Sequence, residues 1–255
     1  MAFINDHQVE KFEREGFCII PSALSPDLLG RFRLEADSSI LELKAAMERE
    51  DPGVEKLSQV PEHLFIPGYG DRLESPSEFL FGDLMVEGCK RFLGESAYLF
   101  IELFVCKSPL SDVEFEWHQD SGYLHNFGYK DYSPNLSVWL AFDDVDESNG
   151  ALWVIPFSEW PDRVVMPHEE TKEGSLSARF PKAAKAISLP MEAGSLVFFS
   201  GVLPHRSGPN LTEYNRRAYL WQYSQQPILS EGRPIQRAVP FLRGGTRVFE
   251  GWGKA

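Results

Sequence analysis

YLFIELFVC at residues 98–106 opens a series of short runs rich in aromatic and β-branched residues. VEFEWHQD (113–120), LSVWLAFDDV (136–145), ALWVIP (151–156), AISLP (186–190), SLVFFS (195–200), VLPHRS (202–207) and RAYLWQYS (217–224) follow. Gly, Pro and Asn punctuate the gaps. Strands at this spacing predict an all-β sandwich or jelly roll. Upstream the pattern is helical. Asp6 is placed to cap a helix carrying Val9 and Phe12, and Gly16 to end it; FCII (17–20) before Pro21 reads as a strand. Ser25 followed by Pro26 opens a second helix with Leu28, Leu29, Phe32, Ile40, Leu43 and Met47 near one face. Residues 51–75 read as loop, and 77–93 as one further helix. The expected fold class is mainly β with flanking helices. A jelly-roll core at 97–226 is preceded by a mostly helical part, 1–96, packed on one sheet, and followed by an irregular tail, 227–255. No repeat or Ser/Gly-rich linker divides the chain, so residues 1–255 read as a single domain.

Composition limits the function classes. The 255 residues carry a net charge of −13 without a basic run or stripe, which disfavours nucleic-acid partners, since those need phosphate-neutralising clusters. No apolar run approaches the roughly 20 residues of a membrane span. The first residues lack a signal-peptide pattern, and three cysteines without a CxxC pair suit a reducing compartment, so a cytoplasmic location is expected. Nothing in the sequence defines an oligomeric state.

The candidate chemistry begins at Trp117-His118-Gln119-Asp120. On a strand, residues two apart share a face, so His118 and Asp120 would aim an imidazole and a carboxylate at one point. His205, from a later strand, adds a second imidazole. Two His and one carboxylate on one face of a metal leave three positions open, as in the facial triad of non-haem iron sites. A lone His-x-Asp is weak, and two buried, hydrogen-bonded histidines are the plain alternative. His168-Glu169-Glu170 has a similar spacing but sits in a charged stretch that reads as solvated loop. His7, His63 and His125 lack a partner at the right offset. Downstream of His205, Ser207 shares its face, and Arg216 or Arg217 begins the returning strand. A buried arginine there needs an anionic partner, and a dicarboxylate fits its fork; the pattern leaves both arginines open.

Together these residues resemble the phytanoyl-CoA dioxygenase family of Fe(II)/2-oxoglutarate oxygenases. The resemblance runs from EKFEREGFCIIPSALSPDLL (10–29) through Lys107-Ser108-Pro109, WHQDSGY (117–123), VWLAFDD (138–144), ESNG (147–150) and VIP (154–156) to PHRSGPN (204–210) and Arg216, eleven residues past His205. It implies a double-stranded β-helix. His118, Asp120 and His205 would be the iron ligands, and Arg216 the anchor for the distal carboxylate of 2-oxoglutarate, assisted by Ser207 and lined by Trp139. It also implies use of O2, with oxidative decarboxylation of 2-oxoglutarate to succinate and CO2 coupled to oxidation of a substrate C–H. Phe157-Ser158-Glu159 departs from the Gly-Ser-His that often follows Ile-Pro in the family. Asp120 argues against halogenation, because related halogenases lack that carboxylate.

The segment 121–135, SGYLHNFGYKDYSPN, reads as an aromatic loop over the metal, with Tyr123 and His125 as candidate substrate contacts. The spacing WHQDSGYLH is similar to the ectoine hydroxylase branch, which favours a small-molecule metabolite over an acyl-CoA. Desaturation, cyclisation, epimerisation or demethylation would start from the same site. A non-enzymatic jelly-roll binding module and a cupin using another metal without a cosubstrate are the remaining alternatives.

Overall fold

The structure, a computed structural model, describes residues 2–49, 63–67, 74–126, 128, 135–171, 175–230, 233–234 and 237–251. Helix α1 (Asp6–Glu15) leads into β1 (Phe17–Ile20). Its cap is Asn5, one residue before the expected Asp6. The Asn5 side chain accepts from the Gln8 N–H, and the Gln8 side chain reaches back to the Asn5 N–H. Gly16 ends the helix in the left-handed region, φ 82°, so β1 starts at once. Helix α2 (Pro26–Glu48) has Ser25 as its cap and buries Leu29, Phe32, Ala36 and Ile40.

Two expectations for the next stretch need correction. Part of the segment expected as loop is a strand, β2 (His63–Pro67), which gains its hydrogen bonds from the edge of the long β3. The single helix expected over 77–93 is two helices, α3 (Glu74–Leu80) and α4 (Asp83–Phe92). Gly82 between them is extended (φ −75°, ψ 175°) and restarts the helix as an N-cap.

The β-core then runs β3 (Ala97–Lys107), β4 (Phe115–His118), α5 (Asp120–Asn126), β5 (Asn135–Ala141), β6 (Leu152–Val154), β7 (His168–Glu170), β8 (Leu176–Ala178), β9 (Ile187–Leu189), β10 (Leu196–Ser200), β11 (His205–Ser207) and β12 (Arg216–Ser224). After it come β13 (Leu229–Ser230), β14 (Arg233–Pro234), β15 (Val239–Arg243) and β16 (Thr246–Arg247). The tail is therefore not irregular throughout. β15 pairs with the first residues of β3, an edge that β2 leaves uncovered, and buries Phe241 and Leu242.

A major sheet has the order β1-β10-β5-β12-β3-β15-β16, with β2 also on β3; a minor sheet has the order β4-β11-β6-β9. All the pairings are antiparallel. Period-2 alternation assigns the two faces of the major sheet. Val138, Leu140, Leu196, Phe198, Tyr219 and Trp221 join the helices α1, α2 and α4 in one core. Trp139, Ala141, Val197, Phe199 and Ala218 pack with Leu152, Val154 and Leu189 of the minor sheet in a second. The jelly-roll layout, with N-terminal helices on one sheet, is the one the sequence predicts. The site lies on the inner side, where the sheets face each other.

Candidate metal centre

His118 is the last residue of β4, and His205 is its register partner at the start of β11. Their ring centroids are 4.1 Å apart. Each Nδ1 lies beside a backbone carbonyl two residues back: Glu116 O at 2.7 Å for His118, and Leu203 O at 2.9 Å for His205. That contact puts the proton on Nδ1 and leaves the Nε2 lone pair free for a metal. Asp120 does not lie on the strand, as alternation suggested. The chain leaves β4 at His118, and Asp120 starts α5. Its Oδ1 is nevertheless 3.6 Å from His205 Nε2 and 3.9 Å from His118 Nε2, while Oδ2 accepts a short hydrogen bond from Ser137 Oγ.

The three ligand atoms lie within 4.8 Å of one another, and all three residues are buried. Burial, then the neighbouring His205, holds the His118 pKa well below its ordinary value, so the imidazole stays neutral. Two imidazoles and one carboxylate, each tied at its far atom, fit a divalent transition metal with open positions, the donor set of a non-haem iron site. Ser137 was not singled out from the sequence. A lone serine inside an apolar strand carries no signal until β5 and α5 meet.

β5 continues from the metal to the second half of the site. Ser137 and Trp139 share its inner face; Ser137 holds Asp120, and Trp139 lies under Arg216, with the guanidinium carbon 5.5 Å from the ring. Arg216 opens β12 and is only 2% exposed, with its Nε and one terminal nitrogen without a hydrogen-bond partner among the described residues. Burial pulls its pKa down to about 10, leaving it charged at neutral pH. Arg217 points the other way. Asp143 accepts from its Nε at 3.0 Å and from a terminal nitrogen at 2.6 Å, and Asp37 accepts from the other at 2.8 Å. Of the two candidate arginines, Arg216 is the one with unused donors on the site's side.

Ser207 is buried two residues from His205 on the inner face of β11; Arg206 between them faces outward, within 5.5 Å of both the Trp117 and Trp153 rings. Lys107, the register partner of Arg216, is wholly buried and donates to the carbonyls of Val113, Ser207 and Gly208.

The segment after Asp120 differs from the expected loop. Residues up to Asn126 form α5; Phe127, Tyr129, Lys130 and Tyr132 lie outside the described residues. The Tyr123 ring stands edge-on to His118 at 5.7 Å, and its hydroxyl accepts from the Leu176 N–H. His125 is exposed near the far end of the helix. His168, expected in a solvated loop, is half-buried in the β7–β8 ribbon, and its Nε2 accepts from the Gln119 N–H at 3.0 Å.

The family model for phytanoyl-CoA dioxygenase (PhyH) matches residues 12–218, which takes in the triad and Arg216. The chain belongs to the phytanoyl-CoA dioxygenase family. Among its relatives in that family, it is 26% identical over 225 residues to the peroxisomal phytanoyl-CoA dioxygenase of Rattus norvegicus, covering 83% of this chain and 66% of that protein. It is 31% identical over 157 residues to a 2-aminoethylphosphonate dioxygenase from the uncultured bacterium HF130_AEPn_1, covering 60% and 55%. The chain thus spans 66% and 55% of the length of these two curated relatives, under two thirds in both. In fold it is similar to the epimerase SnoN, solved with Fe3+, alpha-ketoglutarate and nogalamycin RO, with a TM-score of 0.67, 14% identity, and coverage of 91% of this chain and 97% of that one. Among the described residues, no helix is long and apolar enough to cross a membrane.

Proposed function

We propose that this phytanoyl-CoA dioxygenase family member is an Fe(II)- and 2-oxoglutarate-dependent dioxygenase that hydroxylates a small-molecule metabolite. One observation carries the reading. A guanidinium with unused donors is buried on the inner face of the sheet whose neighbouring strand holds the carboxylate of a His-Asp-His triad. An unpaired buried charge is expensive, and a dianionic cosubstrate supplies the missing acceptors.

In this reading His118, Asp120 and His205 hold the iron, and Arg216 takes the distal carboxylate of 2-oxoglutarate. Trp139 forms the floor under the guanidinium, and Ser207 lies on the same inner surface as His205. Ser137 fixes one oxygen of Asp120, so the other faces the metal. With 2-oxoglutarate and O2, the iron would supply the oxidant that attacks a substrate C–H, releasing succinate and CO2. Tyr123 and His125 remain the proposed substrate-side residues, with Tyr123 the nearer to the ligands. The substrate class rests on the acidic balance and on the 2-aminoethylphosphonate dioxygenase relative, which is named for a small polar molecule.

The test is release of succinate from 2-oxoglutarate by the Fe(II)-loaded protein across a panel of small polar metabolites and acyl-CoA thioesters. A product heavier by one oxygen is expected for a small metabolite. No 2-oxoglutarate turnover with any of them, and no visible charge-transfer band on anaerobic mixing with Fe(II) and 2-oxoglutarate, would count against the proposal.

A further inference from the structure

The segment between the first two metal ligands is held from outside the β-core. Gln119 is wholly buried, and its side chain is fully engaged. Its Nε2 donates to Val164 O at 2.8 Å and Val202 O at 2.6 Å, and its Oε1 accepts from Met166 N at 2.8 Å. One amide therefore joins the segment 118–120 to the chain three residues before His205 and to the irregular segment leading into β7. The Ser121 N–H, donating to Gly201 O at 2.9 Å, ties the same two ligand segments a second time.

His168 closes the arrangement from the other side. Its Nδ1 donates to Met166 O at 2.8 Å, which leaves Nε2 as the acceptor for the Gln119 N–H. Its ring lies against the α-carbon of Gly122, where a β-carbon would come within 2.1 Å of it. Further along the ribbon, the Leu176 N–H reaches the Tyr123 hydroxyl at 3.0 Å. The ribbon thus grips the first turn of α5 at residues 119, 122 and 123, on both sides of Asp120.

We propose that His168 and Gln119 are positioning residues: the β7–β8 ribbon clasps the turn that carries Asp120 and sets this carboxylate against His118 and His205. The inference rests on the metal reading of the triad. It gives Tyr123 a second task, since its hydroxyl is already engaged by the ribbon. Neither residue touches the metal; both act through the backbone of residues 119–123.

The experiment uses the full chain and anaerobic titration with Co(II) and Fe(II). The Co(II) absorption bands report ligand geometry. His168→Phe keeps the ring volume and removes the acceptor, whereas His168→Gln restores an acceptor at the Nε2 position. The Phe variant should lose roughly 10–100-fold in metal affinity, the range for groups that orient ligands, and Gln should recover most of it. In the metal-free protein, the Gln119 amide should exchange hydrogen slowly in wild type and faster in His168→Phe. Gly122→Ala, which pushes the His168 ring away by a different route, should also weaken metal binding; it serves if the Phe variant does not fold. Wild-type metal affinity in both His168→Phe and Gly122→Ala would overturn the clasp. So would equal losses for Phe and Gln, because an acceptor restored at the Nε2 position would then recover nothing. If the wild type itself bound no metal while its Gln119 amide stayed protected, the iron reading would fall, and the ribbon's ligand-setting role with it.

Discussion

The two faces of β12 treat neighbouring arginines in opposite ways. On the helix side Arg217 meets Asp143 and Asp37, Tyr219 donates to Glu102, and Tyr223 donates to the Leu80 carbonyl. On the inner side Arg216 is more deeply buried, yet two of its nitrogens find no acceptor among the described residues. Both residues enter the same strand and differ only in which way alternation turns them. A buried donor without a partner costs about 1–3 kcal/mol, and more if charged. The helix-side face is built for the stability of the fold. The inner face carries a deficit that a ligand would remove, so the two faces should respond differently to the same substitutions.

The largest effect is expected at the metal. Asp120→Ala removes the one anionic ligand and strands the Ser137 hydroxyl, so affinity should fall by more than the ~10–100-fold typical of groups behind the ligands. Anaerobic Fe(II) titration with turnover of 2-oxoglutarate would check it. Unchanged turnover would mean that the carboxylate is structural and the triad reading wrong.

Next comes the contrast that separates the faces. Arg216→Met should weaken 2-oxoglutarate binding by about 2–5 kcal/mol, at least roughly thirtyfold. The ligand-free protein should melt at the same temperature or higher, because an unpaired buried charge has gone. Arg217→Met should do the reverse, losing about 1–3 kcal/mol of stability with 2-oxoglutarate affinity kept. Calorimetry of both variants, with and without 2-oxoglutarate, decides it. If Arg216→Met were as destabilised as Arg217→Met, the two faces would not differ in kind.

Much of this was legible in the sequence, for physical reasons. Strand runs such as 136–145 and 195–200 announce themselves through composition, and turn residues separate them. His118, His205, Ser207 and Arg216 were legible because each sits at the end or start of a strand, and Asp120 through its spacing from His118. What stayed hidden depends on long-range meetings. HLFIP at 63–67 is short and lies in a Pro- and Gly-rich stretch; it becomes β2 because β3 offers an edge. β15 arises in the tail for the same reason. Asp120 does join His118 and His205 in one cluster, but α5 and not strand alternation aims it. Ser137, Gln119 and His168 act through contacts that span 17 to 83 residues in sequence, which no local pattern encodes.

The smallest expected effect lies at His63. In register it faces Lys107 on β3, and Lys107 in turn faces Arg216 on β12. Its ring packs on Phe65 at 4.5 Å and Phe115 at 5.8 Å, and Phe115 stands edge-on to His118 at 4.6 Å. Burial, then the positive charges of Lys107 and Arg216, holds the His63 pKa well below its ordinary 6.5. The unfolded chain takes up this proton as pH falls below about 6.5, while the folded chain does not, so stability is full above that pH and drains away below it. His63→Phe should lose less stability than wild type between about pH 6.5 and 5, with metal present to silence the similar behaviour of His118. Parallel melting curves across that window would show that His63 is not held neutral by its surroundings. The same measurement reaches the cosubstrate pocket. If 2-oxoglutarate seats on Arg216, its charge offsets one cation that keeps His63 neutral. Adding it should then flatten the pH slope more in wild type than in His63→Phe, where Lys107, held down by burial and then by Arg216, still responds.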